Sequence, residues 1–312
     1  MPDISMFEAA IDHEDEKERA VARWITEVSP FAEIIPQHSI SGAAYRYDTE
    51  GSLGTVAHRG VGGSYTADHG VINPNYEGLV ILGGEVTVDR FEVKQMSNYR
   101  DLKGTRFRMK ARAMGIKYSE MVIEGDTAID PFGPDGARKR LQGNQLHLNA
   151  SGGGPLDLNK LDEMIDSVVG DDSSKILVMN RAMQRYLRAA VALENGTFDI
   201  MDTYDSFRRR WLSYRNIPIR IIERDDDAST FLGFDEDPGD ATADTASIYC
   251  FRLGMDYVFG LTGTEGMPSV EDFGEIQDRP AHLGRIEWYY GFVYKHPRSA
   301  ARLYGITNVY PT

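Results

Sequence analysis

Between Thr49 and Asn75 the chain carries six glycines and few side chains able to build a core; only Leu53, Val56, Val61, Tyr65, Val71 and Ile72 are large and apolar. Such a stretch cannot bury enough apolar surface to offset the entropy of ordering itself, so its cover must come from elsewhere. It is expected to be either a lid or a projecting β-loop covered by a neighbour. β-Type sequence flanks it. Ala43 to Tyr47 precedes it, and Glu77 to Phe91 follows, with Val86 and Val88 alternating against Glu85, Thr87 and Asp89.

Charge supplies the second constraint. The 312 residues hold 34 Lys and Arg against 48 Asp and Glu, a net charge of −14, which argues against broad coating of nucleic acid. The charges are unevenly placed. Residues 99 to 124 predict a helix, because Phe107, Ala111, Met114, Tyr118 and Met121 fall on one face. Gly104 and Gly115 weaken it by roughly 1 kcal/mol each, which predicts a bend or a close fit. This helix carries Arg100, Lys103, Arg106, Arg108, Lys110, Arg112 and Lys117 against only Asp101 up to residue 117. A solvated face normally mixes signs at i, i+4, so these bases point to an outside partner, either phosphates or acids of a neighbouring subunit. Residues 225 to 246 are the reverse, a predicted loop with Asp225, Asp226, Asp227, Asp235, Glu236, Asp237, Asp240 and Asp244 and no base.

A chain of this length stands where a single core stops growing, so two lobes are allowed. Residues 6 to 28 read as an amphipathic helix whose stripe is interrupted by Glu14 to Arg19, hence as an arm that packs on something else. After Ser151-Gly152-Gly153-Gly154 an α/β segment follows. A helix marked by Leu158, Leu161, Ile165 and Val168 closes at Gly170; Lys175 to Met179 is a strand; Asn180 caps a helix through Leu193. Arg210 to Tyr214 and Ile217 to Ile222 form a hairpin across Arg215-Asn216, and strands return at Ser247 to Arg252, Tyr257 to Leu261 and Arg285 to Tyr294. The lone Cys250 reads as a small buried residue of a strand. No apolar run approaches the ~20 residues of a membrane helix, and residues 1 to 19 lack a basic-then-apolar leader.

The motifs of catalysis are missing: there is no G-x-x-x-x-G-K-[ST], H-E-x-x-H or G-x-S-x-G, and no cysteine pair for zinc. The seven histidines share no helix face. Asp235, Asp237 and Asp240 begin like a calcium loop, but Pro238 and Gly239 are misplaced and no Glu completes it. No catalytic residue, cofactor or metal is expected.

The order of parts resembles the major capsid proteins of tailed bacteriophages, the Hong Kong 97-type fold, from the N-terminal arm to Ile306. The residues carrying the likeness are Val56-Ala57-His58-Arg59-Gly60-Val61, the run Leu79 to Arg90, Ile123-Glu124-Gly125-Asp126, Arg140-Leu141-Gln142-Gly143-Asn144-Gln145, Asn216-Ile217-Pro218-Ile219-Arg220, Arg285 to Gly291, and Pro297 to Leu303.

The resemblance implies an α+β fold with an N-terminal arm (1–38), an extended loop (39–84), a peripheral domain with a long spine helix (85–150, completed by 267–295), an axial domain (151–266) and a C-terminal segment (296–312). It implies hexamers and pentamers of one chain closing an icosahedral virion shell around double-stranded DNA, assembled in the host bacterial cytoplasm. Leu53, Val56, Val71 and Ile72 become inter-subunit residues, the basic helix faces DNA without base specificity, and the acidic loop faces the capsomer axis. A portal and a decoration protein are implied partners; only about forty residues precede the first strand, too few for an attached scaffold, so a separate scaffold, or assembly without one, is implied. No lysine occurs between Lys17 and Lys94, so the isopeptide cross-link some relatives make from this loop is excluded. Two other classes are weighed. An encapsulin-type nanocompartment shares the fold and would hold protein; a metal-dependent hydrolase would use the 225 to 246 acids but lacks an accompanying histidine.

Overall fold

The computed structural model describes residues 4–6, 15–95, 99–193, 200–204, 210–222, 231–239, 244–264 and 266–311. In chain order these build β1 (Ile4–Ser5), α1 (Glu16–Val28), α2 (Pro30–Ile34), β2 (Pro36–Ser39), β3 (Ala44–Ser52), β4 (Val71–Gly78), β5 (Val80–Asp89), α3 (Arg90–Gln95), α4 (Tyr99–Glu124) and α5 (Ala137–Arg140). There follow β6 (Leu146–Leu148), α6 (Leu158–Ser167), β7 (Lys175–Met179), α7 (Arg181–Leu193), β8 (Ile200–Tyr204), β9 (Arg210–Tyr214), β10 (Ile217–Ile221), β11 (Thr245–Arg252), β12 (Val258–Thr262), β13 (Ser269–Glu275), β14 (Ala281–Tyr294) and β15 (Ala300–Thr307).

Two sheets carry the architecture. The first runs β1-β2-β12-β14-β13, with β5 also paired to β14. The fourteen residues of β14 serve three partners: β5 along Ala281 to Tyr290, β13 toward its start and β12 over its last five residues. Trp288, Tyr290 and Phe292 recur at the two-residue period of a strand, and all three are buried. They meet the ring of Tyr118 at centroid distances of 4.6, 5.3 and 5.3 Å, arrangements in which aromatic pairs add to simple burial. Tyr118 lies on α4, whose face Phe107, Ala111, Met114, Tyr118 and Met121 is buried as its spacing predicts.

The second sheet runs β6-β15-β11-β7-β10-β9-β8. Leu161, Met164 and Ile165 of α6 and Met183, Leu187 and Val191 of α7 share a core with its strands, including the buried Cys250. Asn180 caps α7 by accepting from the Met183 amide at 2.7 Å. Arg215 and Asn216 sit at φ 50° and 64°, the left-handed pair that a two-residue hairpin turn requires.

Several expectations need correction. The N-terminal helix begins at Glu16, with Asp15 accepting from the Lys17 amide, and the 7–14 part of the expected helix lies outside the described residues. It is no detached arm: Val21, Ala22, Ile25 and Val28 are buried in the main core. The interrupted stripe misled because part of the charged block is the helix start, where Glu16 and Glu18 suit the dipole. The expected strand from Glu77 to Phe91 is two strands, and Phe91 lies in α3. β1, β2, β6, β8, β13 and β15 lie where the sequence reading expects no strand. In the sheets, β12 belongs to the first and β15 lies within the second.

Gly115 is where α1 and α4 touch backbone to backbone. A Cβ there would stand 2.8 Å from the Ile25 carbonyl oxygen, whereas a Cβ on Gly104 meets nothing within 4 Å. Gly115→Val is therefore expected to destabilise by about 1–3 kcal/mol through overpacking. Gly104→Ala should stabilise by up to about 1 kcal/mol. Urea denaturation of both checks this; equal shifts of the same sign would contradict the close approach.

Candidate functional site

The glycine-rich segment forms a separate two-stranded hairpin. β3 and β4 pair antiparallel from Ala44↔Gly78 to Ser52↔Val71, and the residues between them form an open tip. Nine strand residues extend it by about 30 Å. Its large apolar side chains are uncovered: Leu53, Val56, Val71 and Ile72 are all exposed, Val56 at 96%. Val61, Tyr65 and Tyr76 are exposed with them, so the apolar surface is larger than the four residues singled out from sequence. At the tip Arg59 covers the Tyr65 ring at 5.2 Å and donates to the Gly63 carbonyl, while Asp68 accepts from the Thr55 amide. Among the described residues this is the projecting β-loop, not a lid closed over a pocket.

The root of the hairpin is held by Tyr47, which packs against Phe259, Leu261 and Val293, and by an ion pair beside it. Arg140 forks onto Glu77 at 2.5 and 2.8 Å, donates a third bond to the Asp135 carbonyl oxygen at 2.8 Å, and lies 5.2 Å from the Tyr294 ring centre. Both partners are mostly buried. Burial alone would lower the Arg140 pKa, and the Glu77 bonds outweigh it and raise it. Tyr47, buried beside the pair and donating to Glu77, is pushed up to about 12, by burial first and by the Glu77 charge second. A bidentate arginine–carboxylate fork fixes direction as well as position, so the pair sets where the hairpin projects. Sequence alone could not join two residues 63 apart.

The basic helix differs from its expected character. Lys103 reaches Asp272 at 2.5 Å, Arg106 donates to Glu92 at 2.7 Å and to the Thr87 carbonyl at 2.6 Å, Arg108 lies 3.5 Å from Glu27, and Lys117 pairs Glu120 at 3.0 Å. The Lys110 stem lies against Gly84, Arg112 has an interaction of its own, and the Arg100 side chain is outside the described residues. Much of the positive charge is therefore answered within the chain, by Glu120 on α4 itself and by Asp272, Glu92 and Glu27 on other elements that an i, i+4 reading cannot see.

The acidic loop divides likewise. Asp225, Asp226, Asp227 and Asp240 lie outside the described residues, while Asp235, Asp237 and Asp244 are exposed. Glu236 is no solvated acid: it is 5% exposed, pairs Arg302 at 2.7 Å and Arg138 at 3.4 Å, and accepts from the Ser247 hydroxyl. Arg138 also reaches Glu124 at the end of α4, whose carboxyl burial pushes up against the opposing pull of Arg138. Glu236 thus joins the end of α4 to the second sheet. Among the described residues no group of His, Cys, Asp and Glu is placed to hold a metal ion, and no helix is long and apolar enough to cross a membrane.

No family model and no curated protein matches the chain. Solved structures do match. The holo-SrpI encapsulin complex from Synechococcus elongatus PCC 7942 superposes with TM-score 0.66 at 14% identity, over 93% of this chain and 90% of that one. The capsid of an empty GTA particle superposes at 0.61 with 13% identity over 90% of each chain. A Mycobacterium phage Bobi structure does so at 0.57 with 8% identity over 90% and 89%. A backbone shared over nine tenths of each chain while so few residues coincide fixes the architecture: this chain has the Hong Kong 97-type capsid fold.

Proposed function

We propose that the chain is the major capsid protein of a tailed bacteriophage, closing through hexamers and pentamers into an icosahedral head around double-stranded DNA. The observation carrying this reading is the hairpin. A projection with its apolar side chains uncovered is incomplete in one copy and complete only against another, and interfaces repeated around rings make a stable shell from modest contacts. Residues 1–38 then serve as the N-terminal region, 39–84 as the extended loop and α4 as the spine of the peripheral domain, with the second sheet forming the body of the axial domain. Arg108 and Lys110 remain as DNA-facing positions, with Asp235, Asp237 and Asp244 near the axis. A portal, a scaffold and a decoration protein complete the partners.

An encapsulin-type shell is the second reading. Internal pairing of Lys103 with Asp272 and of Arg106 with Glu92 favours it, because a protein-filled compartment needs no polyanion-facing surface.

Electron microscopy of nuclease-treated particles from infected cells separates the two: DNA-filled shells are expected, and protein-filled shells would overturn the phage reading. Arg108→Gln with Lys110→Gln should leave shells intact and lower DNA retention; unchanged retention would remove the helix from that role. Arg140→Ala should cost about 1.5–3 kcal/mol in subunit stability, the worth of a charge-assisted bond, and yield few or misshapen shells. Unaltered shells would show that the fork does not aim the hairpin. Boiled particles should run as monomers on a denaturing gel, since the hairpin has no lysine to cross-link.

A further inference from the structure

The last residue of α4 is an acid. Glu124 closes the 26-residue helix at the end where the dipole disfavours negative charge, and its side chain is only 32% exposed. Among the described residues its one partner is Arg138 of α5, at 3.4 Å. Arg138 stands at the same 3.4 Å from Glu236. Glu236 has further partners on the second sheet, Arg302 of β15 at 2.7 Å and the Ser247 hydroxyl of β11. One guanidinium is therefore divided between two carboxylates, one at the end of α4 and one on the second sheet.

Three acids act on Glu124 and one base answers them. Glu120, one turn back on α4, is taken up by Lys117 at 3.0 Å, while Asp235 and Glu236 face Glu124 across the joint. Tyr249 of β11, its hydroxyl buried and pushed up by burial, and Arg302 complete the charged and titratable groups around the pair. Burial above all, then Asp235, Glu120 and Glu236, hold the Glu124 carboxyl above its ordinary range against the pull of Arg138. A carboxyl raised in this way binds its proton more readily in the folded chain than in the unfolded one. Its contribution to stability is absent at alkaline pH and appears as pH falls through the raised value toward about 4.3. Asp126 behaves in the opposite sense, because its bond from Lys139 holds it below the ordinary range and keeps it charged through that window.

We propose that Glu124 is a proton-operated catch on the joint between α4 and the second sheet. Ionised, it draws Arg138 off Glu236 and repels Asp235 and Glu236 across the joint. Protonated, it leaves Arg138 to Glu236, and the joint tightens. The setting of α4 against the second sheet thus answers to acidity. This belongs to the single subunit and does not rest on what a shell of such subunits encloses.

Hydrogen exchange of the purified chain tests it. The Gly136 amide, bonded to the Gly125 carbonyl at 2.8 Å, reports on one side of the joint. The Thr245 and Glu236 amides, bonded to each other's carbonyls at 3.2 and 2.9 Å, report on the other, and the Leu187 and Ala190 amides of α7 serve as reference. From about pH 8 to about pH 5 the joint amides of the parent should become several-fold better protected relative to the reference. Glu124→Gln, which keeps the shape and lacks the charge, should show the better-protected ratio at both. A parent ratio that stays constant with pH, or a Glu124→Gln ratio that follows pH as the parent's does, would overturn the catch. Should Glu124→Gln not fold, the parent's ratio decides alone.

Discussion

The fork from Arg140 to Glu77, with the packing of Tyr47 beside it, is the interaction that fixes the hairpin to the rest of the molecule. A hairpin without a core has no internal reason to point anywhere, and two strands alone are marginal in water. Tying β4 through Glu77 to the end of α5, beneath the Tyr294 ring and beside the buried Tyr47, gives it a direction relative to the first sheet. The pair is shielded from solvent, so salt screens it less than a surface pair. Everything beyond the root projects from it, and its apolar tip is left uncovered by the subunit that carries it.

A similar economy governs the rest of the charge. The net −14 hides an arrangement in which the bases of α4 are met by Asp272 of β13, Glu92 of α3 and Glu27 of α1, holding three elements around one helix. Glu236, buried with Arg302 and Arg138, holds the second sheet to the end of α4 in the same way. Buried or half-buried pairs add little net stability over apolar contacts, but removing one partner strands the other, so they act as constraints on geometry.

What was legible in the sequence followed from periodicity and turn chemistry. The face of α4, the Asn180 cap, the Arg215-Asn216 turn and the absence of a core between Thr49 and Asn75 all stand in the structure. What escaped depended on contacts between distant residues. The pairs that neutralise α4, the burial of Glu236 and the fork at Glu77 each join residues far apart in the chain. β13 has the acidic, glycine-containing sequence of a loop and is a strand because β14 pairs with it. Ile129 and Phe132, exposed on the turn joining α4 to α5, left a signal: two large apolar residues inside a stretch containing Pro131, Gly133, Pro134 and Gly136, where solvated side chains are the norm.

The central claim is that one copy of this chain is incomplete without another because of its hairpin. Sedimentation velocity of the purified parent chain, beside a variant in which residues 54–69 are replaced by a short Asn-Gly turn, measures this directly. The account predicts fast-sedimenting closed particles from the parent and only small species from the variant, with the two melting alike as subunits. Identical sedimentation of parent and variant, whether both as particles or both as monomers, would contradict it.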